Sequence, residues 1–287
     1  MPIPRKILIR VVGAPLLLAV LGAILYLDHQ KTTTAGLSSL LVLVAILCVV
    51  EFNAMCAARG IPVARVAGLV CVAAVMIPWK YLIDIPMWMA DWQTWMPFCF
   101  LLYLLCKLVF RYGVFTPEAA AMTLLGYYYI SLLRFVGNPP VFPKWTAFYL
   151  LFLLATGKGS DMAAFVAGKT IGRHKMSPVV SPNKTWEGGI AGAIAGTLLG
   201  FAVLYGTRLH EKYAAVPAAA LLFFALIVTI AAQVGDLVKS AFKRWAGVKD
   251  SGKLLPEFGG MLDMVDSFLI AAPVAHLGTE VLRRVFG

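Results

Sequence analysis

Long apolar runs alternate with short polar stretches along almost the whole chain. Each run has about 20 residues, the length that an α-helix needs to cross the ~30 Å hydrocarbon core of a bilayer. The runs cover residues 7–27, 37–55, 63–79, 95–110, 119–136, 145–168, 188–206, 215–235 and 262–282. This pattern predicts an all-α, polytopic integral membrane protein with about nine transmembrane helices.

Composition agrees with this prediction. Of the 287 residues, 61% are hydrophobic and 14% are charged, whereas soluble domains average about 25% charged residues. No polar stretch between the runs is long enough for a separate soluble domain. We therefore expect a single membrane domain, with any chemistry at or inside the bilayer.

The first apolar run follows Arg5, Lys6 and Arg10, an order that a secretory signal peptide also shows. The run is long for a signal peptide and no A-x-A cleavage site follows it, so we expect a retained first helix. The five cysteines lie between Cys48 and Cys106, without C-x-x-C spacing or a nearby histidine. This placement favours apolar filling over a disulfide or a zinc site.

The basic residues predict the orientation, because cytoplasmic loops of membrane proteins carry an excess of Lys and Arg. With the N-terminus inside, most of the 25 basic residues fall in inside loops, above all in 169–184 and 239–253, and the net charge of +11 fits a basic cytoplasmic rim. Trp and Asp residues of segment 79–95 fall outside and are typical of an interfacial aromatic belt. Nine spans place Arg283 and Arg284 outside, so either the last helix tilts back or the count is off by one. We expect a multi-pass protein of the inner (plasma) membrane.

Two late loops combine basic, acidic and glycine residues, which a plain positive-inside loop does not need. One runs from Gly168 to Gly189 as G-K-T-I-G-R-H-K-M-S-P-V-V-S-P-N-K-T-W-E-G-G, and the other runs from Ser240 to Asp266. Lys and Arg can neutralise phosphate oxygens, N–H groups at Gly or Ser can surround them, and carboxylates can hold Mg²⁺. The loops therefore predict a site for phosphates and a metal.

The acids of these loops are candidate metal ligands. Asp263 and Asp266 lie one helical turn apart, so their side chains share a face with Cβ atoms ~5–6 Å apart. Asp236 ends the preceding run, and we expect acids from the two helices to share a metal. Acids at a helix start could instead complement the helix dipole. Asp161 and Glu187 are further candidates, for which a structural salt bridge is the alternative to ligation.

Glycines recur every four residues in the seventh run, at Gly188, Gly192, Gly196 and Gly200. Such a ridge of small residues lets helices approach closely. We expect the ridge to serve helix packing, and it could also join two copies of the chain in a homodimer.

These residues resemble the phosphatidate cytidylyltransferase family, the CDP-diacylglycerol synthases. The family pattern S-x-x-K-R-x4-K-D, then P-G-H-G-G, then D-R-x-D is matched in order and spacing by Ser240, Lys243, Arg244, Lys249, Asp250, Pro256, Gly259, Gly260, Asp263 and Asp266. An upstream block is matched by Asp161, Ser181, Pro182, Lys184, Thr185, Glu187 and Gly188. Because the resemblance covers about residues 155–270, we expect 141–287 to be the catalytic transmembrane region and 1–140 a scaffold of transmembrane helices.

Three positions depart from the family pattern. Glu257 replaces a glycine, Phe258 replaces a histidine and Met264 replaces the arginine of D-R-x-D. Loss of the His and the Arg removes two contacts to phosphate, so nucleotide affinity or pyrophosphate handling should differ from typical members. An inactive or repurposed paralogue is the alternative.

The resemblance implies transfer of a cytidylyl group from CTP to phosphatidate, giving CDP-diacylglycerol and pyrophosphate for phospholipid biosynthesis. The attacking phosphate oxygen is already ionised at neutral pH, so the reaction needs positioning and charge stabilisation rather than a general base. The implied catalytic residues are Asp236, Asp263, Lys184 and Lys243. The implied substrate contacts are Asp161, Ser181, Glu187, Ser240, Arg244, Lys249, Asp250, Gly259 and Gly260.

The implied cofactor is Mg²⁺, held by Asp236, Asp263 and Asp266, and a second, monovalent cation stays open. CTP, phosphatidate and membrane lipids are the expected partners, with no nucleic acid, and the site should face the cytoplasm. A CTP-dependent polyprenol kinase or a cytidylyltransferase for another lipid is the nearest alternative. A cation-coupled transporter lined by Asp161, Asp236 and Asp263 is a more distant one, because the halves show no internal repeat.

Overall fold

The computed structural model describes residues 19–30, 35–77, 92–111, 114–137, 146–206, 216–252 and 259–286, and nearly all of them are helical. Helix α1 covers residues 19–30. The further helices are α2 Ala35–Ala58, α3 Arg65–Met76, α4 Trp92–Phe110, α5 Pro117–Ser131, α6 Arg134–Gly137, α7 Thr146–Thr170, α8 Trp186–Gly206, α9 Ala218–Trp245 and α10 Met261–Phe286. Strands β1 Lys175–Ser177 and β2 Ser181–Thr185 lie between α7 and α8.

Within the described residues, six helices are long and apolar enough to cross a membrane. They are α2, α5 together with α6, α7, α8, α9 and α10. The prediction of a largely helical membrane protein is therefore confirmed. Helices α3 and Met96–Phe110 are apolar but shorter, and the predicted run 7–27 lies mostly outside the described residues. The count of nine spans and the loop orientation stay predictions.

Helix α3 is shorter than the apolar run that contains it. Its 12 residues extend about 18 Å at 1.5 Å per residue. Ile77 follows with φ −61° and ψ 129°, the extended conformation that a residue before proline favours. Since Pro78 comes next, the backbone leaves the helix here although the side chains remain apolar.

The chain forms two compact units. The first contains Met1–Gly137 and Trp245–Met264, and the second contains Asn138–Arg244 and Val265–Gly287. The segment Trp245–Met264, which carries part of the family pattern, thus belongs with the N-terminal helices. The division into a scaffold and a catalytic region is a functional one and stays a prediction.

In the second unit, the glycine ridge of α8 packs against helices of its own chain. A Cβ atom at Gly192 would lie 2.8 Å from the carbonyl oxygen of Ser160, and one at Gly196 would lie 2.8 Å from that of Thr156. Both carbonyls belong to α7. The prediction that the ridge serves helix packing is confirmed, and a homodimer through this face is not supported because α7 already occupies it.

A short β-hairpin precedes α8 and was expected only as a loop. Its antiparallel strands place Lys175 opposite Thr185 and Ser177 opposite Ser181. The strands are polar and three and five residues long, so they carry no alternation of apolar residues. Thr185 then caps α8, its hydroxyl accepting the N–H of Gly188 at 3.2 Å.

Candidate functional site

Three lysines and three aspartates of the second unit form one continuous set of ion pairs. We call it the Lys–Asp network, and it consists of Lys158, Asp161, Lys184, Asp236, Lys239 and Asp266. Helix α7 contributes the first two residues, the end of β2 the third, α9 the next two and α10 the last. Because a charge buried without a partner is very costly, these side chains must be paired to lie among apolar helices.

Lys239 is the buried centre of the network, with 6% of the residue exposed. Its Nζ lies 2.9 Å from Oδ1 of Asp236, one helical turn earlier on α9, and also pairs with Oδ2 of Asp266. Helices α9 and α10 approach closely here, since a Cβ atom at Gly235 would lie 2.6 Å from the carbonyl oxygen of Asp266. Gly235 therefore permits the approach that lets one lysine join two helices.

Lys158 forms a more accessible end of the network. Its Nζ lies 3.1 Å from Oδ1 of Asp266, 3.1 Å from Oγ of Ser267 and 3.8 Å from Oδ2 of Asp161. The hydroxyl of Ser267 also donates to Oδ2 of Asp161 at 3.3 Å. The side chains of Lys158 and Asp161 are 37% and 35% exposed, so other residues of the chain do not cover them fully.

Lys184 forms the other end, where its Nζ pairs with Oδ2 of Asp236. The hairpin and the cap at Thr185 fix the backbone at Lys184 immediately before α8. Ser240 and Lys243 follow Asp236 by four and seven residues on α9, which places all three on one face of that helix. The second unit thus gathers several of the predicted phosphate contacts around Asp236.

Two other predicted substrate contacts hold the loop around the hairpin. Glu187 accepts the N–H groups of Arg173 and His174 at 3.1 and 3.2 Å, and its Oε1 lies 2.6 Å from Nδ1 of His174. Arg244 donates from Nε to the carbonyl oxygen of Val180 at 3.1 Å. These contacts match the structural salt bridge that was left open for Glu187. Ser181 begins β2 in the same hairpin.

In the first unit, Asp263 closes the loop that leads into α10. Its Oδ2 accepts the N–H and the hydroxyl of Ser251 at 3.1 and 2.9 Å and the N–H of Gly260 at 3.4 Å. An acid three residues into a helix that bonds back to the residue before the helix is a capping arrangement. Gly259 has φ +88°, which glycine adopts without strain. Asp263 therefore makes helix-start contacts in the structure, and its part in metal binding stays a prediction.

The structure brings together Asp161, Lys184, Asp236 and Asp266, all from the second unit. Asp263, Gly259, Gly260, Lys249 and Asp250 belong to the first unit. The predicted metal pair of Asp236 and Asp263 draws on both units and stays a prediction. Met264 is half-buried, and the other two unusual positions, Glu257 and Phe258, lie outside the described residues.

The Lys–Asp network fits Mg²⁺ in the chemistry of its donors, because carboxylate oxygens are the protein ligands that this ion prefers. Across the part of the chain that is described, no group of three or more His, Cys, Asp or Glu side chains is arranged to hold a metal ion. Lysine Nζ atoms lie against the same oxygens instead. A metal ion at these aspartates would compete with the lysines.

Sequence reasoning missed Lys158 and Lys239. Lys158 lies inside the predicted run 145–168, where any ionisable residue is a candidate for function because of its cost in a membrane. Lys239 lies beyond the predicted end of its run at 235, but α9 continues to Trp245. If the helix had been predicted to extend further, the i, i+3 spacing of Asp236 and Lys239 would have indicated that they pair.

Comparisons with known proteins point to one family. The model of the cytidylyltransferase family matches residues 8–282. A phosphatidate cytidylyltransferase of Staphylococcus aureus (strain COL) is 40% identical over 129 residues, which are 45% of this chain and 48% of the relative. Those of Staphylococcus haemolyticus and Staphylococcus epidermidis are 39% and 38% identical over 129 residues, with the same shares. The chain thus spans about half the length of the curated relatives it matches.

Proposed function

Because the chain belongs to the cytidylyltransferase family, we propose that it transfers a cytidylyl group from CTP to phosphatidate. The products are CDP-diacylglycerol and pyrophosphate. The relatives of this chain are named for this reaction. The observation that carries the proposal is the Lys–Asp network, which concentrates three ammonium groups and three carboxylates among apolar helices.

The reaction matches residues of this kind. An oxygen of the phosphatidate phosphate attacks the α-phosphorus of CTP, and the bond from that phosphorus to the bridging oxygen breaks, so that pyrophosphate leaves. The attacking oxygen carries its charge at neutral pH, and no residue has to remove a proton. The protein must bring two polyanions together and stabilise the charge that moves onto pyrophosphate.

The two accessible lysines are suited to hold phosphates. The side chains of Lys158 and Lys184 are 37% and 28% exposed, and each is paired with an aspartate. A triphosphate can take the place of those carboxylates at the ammonium groups. Lys239 is buried, so its role is to hold Asp236 and Asp266 at a fixed separation.

Asp161, Asp236 and Asp266 would hold the Mg²⁺ that accompanies CTP. When bound, Mg²⁺ neutralises oxygens of the triphosphate. If Lys158 and Lys184 paired with phosphate oxygens, the carboxylates that they contact in the structure would be open to the cation. A further ligand role for Asp263 and a second, monovalent cation stay predictions from the sequence.

The described residues include six helices that are long and apolar enough to cross a membrane, and we place the protein in the plasma membrane with the site on the cytoplasmic side. The basic segment 169–184, which includes the hairpin, favours this orientation because cytoplasmic loops are rich in Lys and Arg. CTP would reach the site from the cytosol, and the diacyl lipid would reach it from the bilayer.

The proposal is tested with the purified full chain in vesicles that contain phosphatidate. Addition of CTP and Mg²⁺ should give equal amounts of pyrophosphate and CDP-diacylglycerol, and EDTA should abolish both. The Asp236→Asn variant should lose turnover, whereas Arg283→Ala, which breaks an exposed pair on α10, should keep it. Release of CDP with a polyprenol acceptor would indicate a kinase, and solute uptake without turnover would indicate a transporter. Either result would contradict the proposal.

A further inference from the structure

Glu51 is an ionisable residue that the proposed function does not use. It lies in α2, among the apolar residues of a helix long enough to span a membrane, and it is only 2% exposed. Removing a carboxylate from water is costly unless donors replace the water. Glu51 lies in the predicted scaffold and far along the chain from the residues of the family pattern. Neither fact explains why an acidic side chain is buried here. The reason has to lie in its contacts.

The donors are the first N–H groups of α10. The N–H of Met261 donates to Oε1 of Glu51 at 2.8 Å, and the N–H of Leu262 donates to Oε2 at 3.0 Å. These are the first two residues of α10, and N–H groups in the first turn of a helix have no partner within it. A carboxylate there also complements the positive end of the helix dipole. Glu51 thus caps α10 from a helix 210 residues earlier in the chain.

Ser251 links this cap to Asp263. Its hydroxyl lies 3.0 Å from Oε2 of Glu51 and 2.9 Å from Oδ2 of Asp263. One hydroxyl has one proton to donate, so the two carboxylates share it. The N–H of Ser251 gives Asp263 a second bond at 3.1 Å. The position of the Asp263 carboxylate therefore depends on a residue that Glu51 holds.

Two glycines make room for Glu51 in this loop. A Cβ atom at Gly252 would overlap Oε1 of Glu51. One at Gly260 would lie 2.6 Å from Oε2 of Glu51 and would overlap the hydroxyl of Ser251. Gly260 matches the family pattern, and in this chain the absence of a side chain there is what lets the glutamate reach the N–H groups.

We propose that Glu51 is a positioning residue for the cytidylyl transfer: it caps α10 and, through Ser251, fixes the carboxylate of Asp263. The inference rests on the proposed function only in giving Asp263 a part in that reaction. The cap itself depends on contacts within the first unit alone. It assigns a role in the reaction to the N-terminal helices, which the sequence predicts to be scaffold.

The test compares Glu51→Gln with Ser38→Ala in the full chain. A glutamine is nearly the same size, but its NH₂ group would face an N–H donor, so one of the two bonds to α10 is lost. Ser38 is a matched control because it is buried in the same helix and donates to the carbonyl oxygen of Gly137 at 3.1 Å, away from the loop. Hydrogen exchange at Met261 and Leu262 reports the cap directly, and kcat and KM report its effect on turnover.

In Glu51→Gln, we expect exchange at Met261 and Leu262 to be about tenfold faster or more, which is the range for a lost hydrogen bond to a charged group. We expect kcat to fall about tenfold or more while KM for CTP changes by less than about threefold, the split for a group that acts in the transition state rather than in binding. Ser38→Ala should change neither quantity. Unchanged exchange in Glu51→Gln would overturn the cap, and faster exchange with unchanged kcat would overturn the positioning role.

If Glu51→Gln does not fold, the Ser251→Ala variant can be used to test the proposal instead. This variant removes the shared hydroxyl and leaves the bonds from Glu51 to α10 in place. It should lower kcat without faster exchange at Met261 and Leu262, and a full kcat would overturn the link to Asp263. If the unaltered chain makes no CDP-diacylglycerol, the proposed function fails, and the exchange result still decides whether Glu51 caps α10.

Discussion

Lys239 shows why a charged residue can be retained deep among apolar helices. It lies between Asp236 and Asp266 and is almost inaccessible. Such a pair adds little to stability compared with apolar packing, but removing one partner leaves a buried charge uncompensated and costs about 3–5 kcal/mol. The lysine therefore keeps two acids of a candidate substrate site close together at low net cost.

The Lys239→Met variant should accordingly unfold at a clearly lower temperature than the unaltered chain in detergent, since it loses about 3–5 kcal/mol of unfolding free energy. Arg283→Met is the matched control. Its pair with Glu280 lies on the surface, where the side chain of Arg283 is 62% exposed, and such pairs contribute about 0–1 kcal/mol. Equal unfolding temperatures for both variants would contradict the central place of Lys239.

Lys184 is expected to act on substrate binding rather than on folding. Lys184 is paired at a partly exposed end of the network. Lys184→Ala should therefore raise KM for CTP by about tenfold and leave kcat within about threefold, the pattern for a residue that binds the substrate and the transition state equally. Lys175→Ala, an exposed lysine of the same hairpin, should leave KM unchanged. A collapse of kcat at constant KM would instead assign Lys184 to stabilisation of the transition state.

Gly235 lets helices α9 and α10 approach closely. A side chain at Gly235 would meet the main chain at Asp266, and main chain cannot move aside as a flexible side chain can. Glycine at this position therefore permits the short distance between the acids of the two helices.

Gly235→Ala should separate α9 from α10, with a cost of about 1–3 kcal/mol for overpacking. We expect CDP-diacylglycerol formation to fall at least tenfold, since misplacement of a catalytic group by about 1 Å can cost 10²-fold. Gly206→Ala, at a glycine with no atom within 4 Å of an added Cβ, should retain both stability and activity. Thermal unfolding and a product assay check both variants, and full activity in Gly235→Ala would contradict the close approach.

For helix α8, the sequence predicted the span and its packed face but not the helix that packs against it. The run 188–206 predicted a span, and the glycines predicted the packed face, because both follow from composition alone. Ile190, Ile194 and Leu198 recur at the same spacing and are 56–58% exposed, so the larger side chains point away from the core. The glycines indicate the packed face but not the helix that packs there, so the partner α7 could not be predicted from the sequence.

The charged residues were predictable in type but not in partner. Asp161, Asp236 and Asp266 stood out as costly acids in apolar surroundings, and the structure brings them together. Their lysine partners come from α7, β2 and α9. The two i, i+3 pairs within a helix follow from spacing, whereas the pairs that join different elements depend on tertiary structure. Glu51 carried the same signal within its apolar run, but its partners are backbone N–H groups, which no sequence motif marks.

The whole chain combines a membrane protein's apolar helices with charged groups confined to a few contacts. Membership of the cytidylyltransferase family holds along residues 8–282, so the N-terminal helices belong to the family as well as the late loops. The cap on α10 links α2, one of those helices, directly to the first turn of α10, which contains Asp263. A reaction that joins a soluble nucleotide to a membrane lipid requires both apolar helices in the bilayer and charged groups that bind phosphate.

The central claim is that the chain moves the cytidylyl group of CTP, and not its terminal phosphate, onto phosphatidate. It is tested most directly by supplying the reconstituted chain with CTP that carries radioactive phosphorus in either the α or the γ position. The α label should enter the lipid fraction, and the γ label should leave in pyrophosphate. Transfer of the γ label to lipid, or no label in lipid from either substrate, would contradict it.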